Sequence, residues 1–159
     1  MLVWIVRHGK AEPGSASGKD EDRALARKGE RQAAWLGGEI GRRKDRPGRI
    51  VSSPIRRAIE TARLINKSLA APLVTSVSLE TGKPPSAAVI LMSELDEAGD
   101  GPVMLVGHNP QLEKLVGALT AGPGADAEMK TGQAVLVDVN PEQPIGTGEL
   151  LVTLRMESD

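Results

Sequence analysis

Cysteine, phenylalanine and tyrosine are absent from these 159 residues, and Trp4 and Trp35 are the only aromatic side chains. Without cysteine there is no disulfide framework, thiol nucleophile or thiolate metal ligand, and the reducing cytoplasm is the expected compartment. Two indole rings make no stacking platform, and 20 Lys plus Arg against 21 Asp plus Glu make no basic footprint. Nucleic acid is therefore not an expected partner, whereas a small or localised anionic ligand suits the composition. Long apolar runs are missing too. Met1-Leu2-Val3-Trp4-Ile5-Val6 is broken by Arg7-His8 before a signal-peptide core or a membrane span is complete, so it reads as a buried strand and no membrane association is expected. The two histidines, His8 and His108, lie far apart with no acidic or cysteine partner motif, so neither a metal nor a cofactor is expected.

What is present suffices for one core. An apolar share of 40% over this length is that of one globular domain, here residues 1–159. Short apolar runs at Leu2 to Val6, Arg49 to Val51, Leu73 to Val77, Val103 to Val106 and Ala134 to Val139 predict strands. Between them, helical periodicity covers Arg27 to Lys44, Pro54 to Leu69, Ser86 to Asp96 and Pro110 to Thr120. This alternation implies a three-layer α/β/α sandwich with a mainly parallel sheet, and Leu150 to Leu154 pairs with Val135 to Val139 as an antiparallel edge. Glu12 to Asp22, rich in Gly, Ser and charge, is a loop whose length suggests ligand contact or motion.

The chemistry gathers at three strand exits. Ile5-Val6-Arg7-His8-Gly9 and Leu105-Val106-Gly107-His108-Asn109-Pro110 each deliver an imidazole directly after a strand, and ligand crevices of open α/β sheets lie beyond the carboxyl ends of strands. Val51-Ser52-Ser53-Pro54-Ile55-Arg56-Arg57 adds guanidinium groups, with Ser53 expected as N-cap and Pro54 at the first helical position. Taken singly, each of these residues reads as a satisfied imidazole or a solvated charge. Together they suit phosphoryl transfer: guanidinium forks match phosphoryl oxygens, histidine forms covalent intermediates, and fixed cations with helix N-termini supply charge neutralisation. Periodicity does not choose between Arg56 and Arg57, because both flank the stripe of Ile55, Ala58, Ile59, Ala62 and Ile65.

Arg7-His8-Gly9, Ser53-Pro54-Ile55-Arg56-Arg57-Ala58-Ile59-Glu60-Thr61 and Gly107-His108-Asn109-Pro110 resemble, in order, the signature segments of the histidine phosphatase superfamily, which includes the phosphoglycerate mutases. Length, Arg23-Ala24-Leu25 leading to Gly29, and Lys130-Thr131-Gly132-Gln133-Ala134 bring the resemblance nearest to SixA-type phosphohistidine phosphatases. It implies a phosphoglycerate mutase-like fold and a metal-independent hydrolase in which His8 is the nucleophile. It further implies that Arg7 and Arg57 hold the phosphoryl oxygens and that His108 stabilises the charged transition state. Glu80, after the third strand, stands where many relatives carry a proton-donating carboxylate; a lone loop Glu is otherwise a solvated charge. Thr131 and Gln133 come from a segment that reaches the pocket in relatives. The chain departs from the family pattern at Ala26, where Thr is usual, and beyond Gly9, where Ser15 or Ser17 would have to replace the usual phosphate ligands.

The implied substrate is a phosphorylated protein bearing phosphohistidine. The alternatives are a small phosphorylated metabolite or phosphosugar, hydrolysed as a monoester, and a phospho-ligand module without turnover. Three other signals carry no function. Gly122-Pro123-Gly124-Ala125-Asp126-Ala127 follows a helix and not a strand, Asn66-Lys67-Ser68 lies in a predicted helix, and Arg42-Arg43-Lys44 sits where a helix end favours positive charge.

Overall fold

The computed structural model describes residues 1–99 and 101–157. The strands are β1 (Leu2–Arg7), β2 (Arg49–Ser52), β3 (Leu73–Thr75), β4 (Val103–Gly107), β5 (Ala134–Asp138) and β6 (Glu149–Leu154). The helices are α1 (Arg27–Gly41), α2 (Arg56–Asn66), α3 (Pro85–Ala98) and α4 (Gln111–Ala121). The sheet has the order β3-β2-β4-β1-β5-β6; its first four strands run parallel and β5 and β6 run antiparallel. The α/β/α arrangement with an antiparallel edge is the one expected from the alternation of apolar runs.

Strand alternation divides the core in two. Val3 and Ile5 point to the face packed by α3 and α4, with Val51, Val103, Leu105, Leu112 and Leu115. Trp4 and Val6 point to the other face, where Leu36 and Ile40 of α1 and Ala58, Ala62 and Ile65 of α2 cover Ile50, Met104 and Val106. Trp4 is fully buried and its Nε1–H donates to the Asp45 carbonyl at 2.9 Å, so the one large ring in the core has its polar edge satisfied.

Several boundaries differ from the sequence expectation. The α1 helix stops at Gly41 instead of Lys44, and Arg43 turns back to pair with Asp45 at 2.8 Å with its guanidinium 5.7 Å from the Trp4 ring. The α2 helix runs from Arg56 to Asn66, not Pro54 to Leu69, and its N-cap is Ile55. Ser53 therefore does not cap the helix; its Oγ accepts from the Ile55 N–H at 3.1 Å and closes a turn ahead of it. The β3 strand ends at Thr75, and Val77–Leu79 form a 3₁₀ turn in which Ser76 Oγ accepts from the Ser78 N–H. Ala26 occupies the N-cap of α1 with no side-chain bond.

Two glycines allow α1 to lie directly on the exit of β1. A Cβ at Gly29 would meet the Lys10 carbonyl oxygen at 2.1 Å, and one at Gly9 would meet the Gly29 oxygen at 2.7 Å. Gly38, on the same helix, has no neighbour closer than 3.8 Å. Gly29→Ala is expected to destabilise the protein by about 2–3 kcal/mol through this overlap. Gly38→Ala should be neutral or stabilising by up to about 1 kcal/mol through helix propensity. Urea unfolding of both variants checks this, and equal effects would contradict the packing account.

Candidate active site

Strand register builds the site. Arg7 pairs with Gly107 across β1 and β4, so the residues that follow, His8 and His108, leave the sheet side by side. The His8 N–H donates to the Gly107 carbonyl at 3.1 Å, and the ring centroids lie 5.2 Å apart. On the other side of β4, Ser52 pairs with Val106 and the Ser53 N–H donates to the Val106 carbonyl at 2.9 Å. That step brings Ser53 Oγ to 2.8 Å from His108 Nε2. The α2 helix is tied to the same corner: Thr61 Oγ donates to the Arg57 carbonyl and accepts from the Gly9 N–H at 3.1 Å.

Hydrogen bonds assign the His8 proton. His8 Nδ1 lies 2.7 Å from the Gly9 carbonyl, which can only accept, so Nδ1 carries the proton and the Nε2 lone pair is free. Ser53 Oγ accepts from the Ile55 N–H and shares a second hydrogen bond with His108 Nε2, in which either atom can donate. Burial pushes the His8 pKa down to about 4, with the Arg57, Arg7 and Arg23 charges adding to the effect and the Gly9 bond opposing it. Burial also lowers His108, to about 3, helped by His8 and Arg57. Both rings are neutral at physiological pH, and His8 presents its Nε2 lone pair.

The cations divide into engaged and unengaged groups. Arg7 Nη1 donates to the Met129 carbonyl at 3.1 Å, while its Nε is buried without a partner among the described residues, as is His108 Nδ1. Burial lowers the Arg7 pKa from its ordinary value. Arg57 is buried and donates through Nη1 to the Asp20 carbonyl at 2.9 Å and through Nη2 to Asp20 Oδ2 at 3.0 Å. Arg56 is exposed and pairs with Glu60, so the structure resolves the choice that periodicity left open. The buried face of α2 runs through Arg57, Ala58, Thr61, Ala62 and Ile65, rotated from the predicted stripe so that Arg57 lies inside it.

The resulting cleft, about 310 Å³, is lined by Arg7, His8, Lys10, Ala11, Arg23, Arg57, Thr81, His108, Asn109 and Thr131. Arg7, His8, Arg57 and His108 are thus brought together as expected. Glu80 is not among them; the 3₁₀ turn ending at Leu79 sends it to an adjoining depression with Glu21, Asp22, Pro54, Ile55, Arg56 and Ile59, and Thr81 faces the cleft instead. Thr131 lines the cleft, whereas Gln133 Oε1 is engaged with the Lys130 N–H. Ser15 is half-buried and Ser17 exposed, and both are bonded within their own loop, Ser15 to the Lys19 carbonyl and Ser17 to Asp22. Lys10, Arg23 and Asn109 were missed as lining residues; each is adjacent to, or part of, a segment quoted above, but only tertiary packing shows which side chains turn inward.

Residues 3–80 match the model of the histidine phosphatase superfamily, branch 1. A search of curated protein sequences found no match. Among solved structures, the protein histidine phosphatase SixA complexed with tungstate is 22% identical, with 98% of this chain and 97% of that one covered and a TM-score of 0.86. SixA from Agrobacterium tumefaciens, assigned as a phosphohistidine phosphatase, is 23% identical over 96% of both chains with a TM-score of 0.77. The mycobacterial glucosyl-3-phosphoglycerate phosphatase complexed with VO3 is 20% identical, with 95% of this chain and 97% of that one covered and a TM-score of 0.76. Residues 3–80 thus resemble the histidine phosphatase superfamily, and the fold of the chain is the phosphoglycerate mutase-like fold of SixA. His108 lies outside the segment that the family model matches and enters the comparison through the fold.

The depressed imidazole values set two pH expectations. An unfolded chain takes up protons on both histidines near pH 6.5, whereas the folded chain does so only near 4 and 3. Between those limits the unfolded state binds more protons, so these two groups make stability fall as pH drops from 6.5 towards 4 and contribute no slope above 6.5. In nitrogen-15 spectra both rings should keep the neutral pattern at pH 5.5, His8 with its proton on Nδ1. Titration of either ring near 6.5 would contradict the burial account.

Proposed function

We propose that this protein is a phosphatase of the histidine phosphatase superfamily that hydrolyses protein-borne phosphohistidine through a covalent intermediate on His8, in the cytoplasm. The observation that carries the chemistry is the fixed Nε2 lone pair of a neutral His8 beside Arg7 Nε and His108 Nδ1, two buried polar atoms without a partner among the described residues. An anion with several acceptor oxygens satisfies the Arg7 donor and presents phosphorus to the lone pair. In the first step the His8 Nε2–P bond forms as the substrate N–P bond breaks, and the substrate imidazole, protonated on its other nitrogen, leaves as a neutral ring. Phosphorylation makes the His8 ring cationic, and the Gly9 carbonyl on Nδ1–H stabilises that charge. In the second step water forms a new O–P bond, the Nε2–P bond breaks, and orthophosphate departs with the water's proton lost to solvent. Arg7 and Arg57 hold the phosphoryl oxygens in both steps, and His108 stabilises the transferring group.

What the cleft offers a leaving group supports the phosphohistidine reading. Its lining includes neither Asp nor Glu, the Asp20 carboxyl bound to Arg23 and Arg57 is held below the ordinary range and so stays ionised, and Glu80 faces the adjoining depression. An alkoxide leaving group needs a proton from a nearby acid, whereas imidazole is a far better leaving group. The likeness to SixA, a protein histidine phosphatase, supports the same reading. The small-metabolite alternative draws on the likeness to the glucosyl-3-phosphoglycerate phosphatase and requires Glu80 to swing into the cleft. The two readings separate by comparing kcat/KM for a phosphohistidine protein and for phosphoserine, in wild type and Glu80→Gln. We expect phosphohistidine to be preferred by about 100-fold or more and Glu80→Gln to change its turnover less than about threefold. Faster turnover of the ester, together with a loss of about 100-fold in Glu80→Gln, would favour the metabolite reading.

A further inference from the structure

We propose that Arg23 is a substrate-contacting arginine of this cleft and that Asp20 is an internal anion holding the forks of Arg23 and Arg57 until a phosphoryl group replaces it. This rests on the reading above that the cleft takes a phosphoryl group. The geometry is that of one carboxylate shared between two guanidinium groups. Asp20 Oδ2 accepts from Arg57 Nη2 at 3.0 Å, and Asp20 Oδ1 accepts from Arg23 Nη1 at 2.8 Å. Both arginines line the cleft that holds His8 and His108. The charge of Arg23 reaches the His8 ring, where it is one of the influences lowering the imidazole pKa.

The two arginines differ from the aspartate in how firmly they are held. Arg57 has only 6% of its side chain exposed, while Asp20 has 63% exposed. Arg23 keeps a second anchor, because its Nε donates to the Glu12 carbonyl at 2.7 Å. When the carboxylate leaves, the Arg23 guanidinium therefore remains in place. Arg57 also retains its bond to the Asp20 backbone carbonyl at 2.9 Å, so only the Asp20 side chain has to rotate. An exposed carboxylate has little to lose by returning to water, and a phosphoryl dianion offers the same two forks more charge and one more oxygen. The direction of exchange thus favours the substrate. Asp20 also keeps two cations from repelling one another in the empty cleft; its own carboxyl is held below the ordinary range, first by the Arg23 hydrogen bond and then by Arg57.

The test is binding of inorganic phosphate to the whole protein by titration calorimetry, which needs no turnover. Arg23→Gln should weaken phosphate binding by about tenfold or more through loss of a charged fork. Asp20→Asn should tighten it by about threefold or more, because the competing anion is gone. Both positions lie in an exposed segment; should Arg23→Gln fail to fold, Arg23→Lys keeps the charge, loses the fork and should weaken binding by about threefold. Unchanged affinity in the Arg23 variants would overturn the assignment of Arg23. Weaker binding in Asp20→Asn would overturn the exchange, making Asp20 a strut that positions Arg57. Absence of phosphate binding in wild type would instead sink the phosphoryl reading of the cleft, and this inference with it.

Discussion

The arrangement depends on the pairing of β1 with β4. These strands are remote in sequence and adjacent in the sheet, and their register sets Arg7 opposite Gly107. A one-residue slip would turn Val3, Ile5 and their partners to the wrong face and separate the two imidazoles, so the same apolar alternation that builds the two cores also sets the distance between His8 and His108. The next strand pair carries this outward, because the register of β2 on β4 is what brings Ser53 to His108. Hydrophobic pattern and proton placement are thus two consequences of one register.

Electrostatically the cleft is a cationic enclosure around two uncharged rings. Arg7, Lys10, Arg23 and Arg57 line it, and in such surroundings a histidine keeps its lone pair because protonation would add one more positive charge in a buried place. The cations attract the anion, and the same field keeps the nucleophile unprotonated. Asp20 is the opposite charge that this concentration requires while the cleft is empty, and it comes from the loop that sequence composition marked for ligand contact.

The parts of this arrangement visible in the sequence are those carried by local pattern. Short apolar runs marked the strands, and residues directly after a strand had to lie at its carboxyl edge, so Arg7, His8 and His108 were legible at once. Arg57 needed either the family register or the structure, because helical periodicity treats it and Arg56 alike until the tilt of α2 on the sheet is known. Ser53 was read as a helix cap, since Ser-Pro is the usual start of a helix; the helix instead begins later and the freed hydroxyl serves His108. The position of Glu80 was not legible for a similar reason: β3 ends early, and a 3₁₀ turn carries the following residue to the adjoining depression. Arg23 and Asp20 were hidden because the two forks meet one carboxylate only after the loop has packed on α2, which is a matter of tertiary distance.

The central claim is that His8 Nε2 takes the phosphoryl group. Its most direct test is intact-mass analysis of the protein after brief exposure to a phosphoramidate donor and an acid-free quench, with wild type and His8→Ala treated alike. The account predicts a donor-dependent, acid-labile phosphate adduct on wild type that maps to His8 and is missing from His8→Ala, together with loss of phosphate release in the variant. An adduct of equal yield on His8→Ala, or undiminished phosphate release by it, would contradict the account.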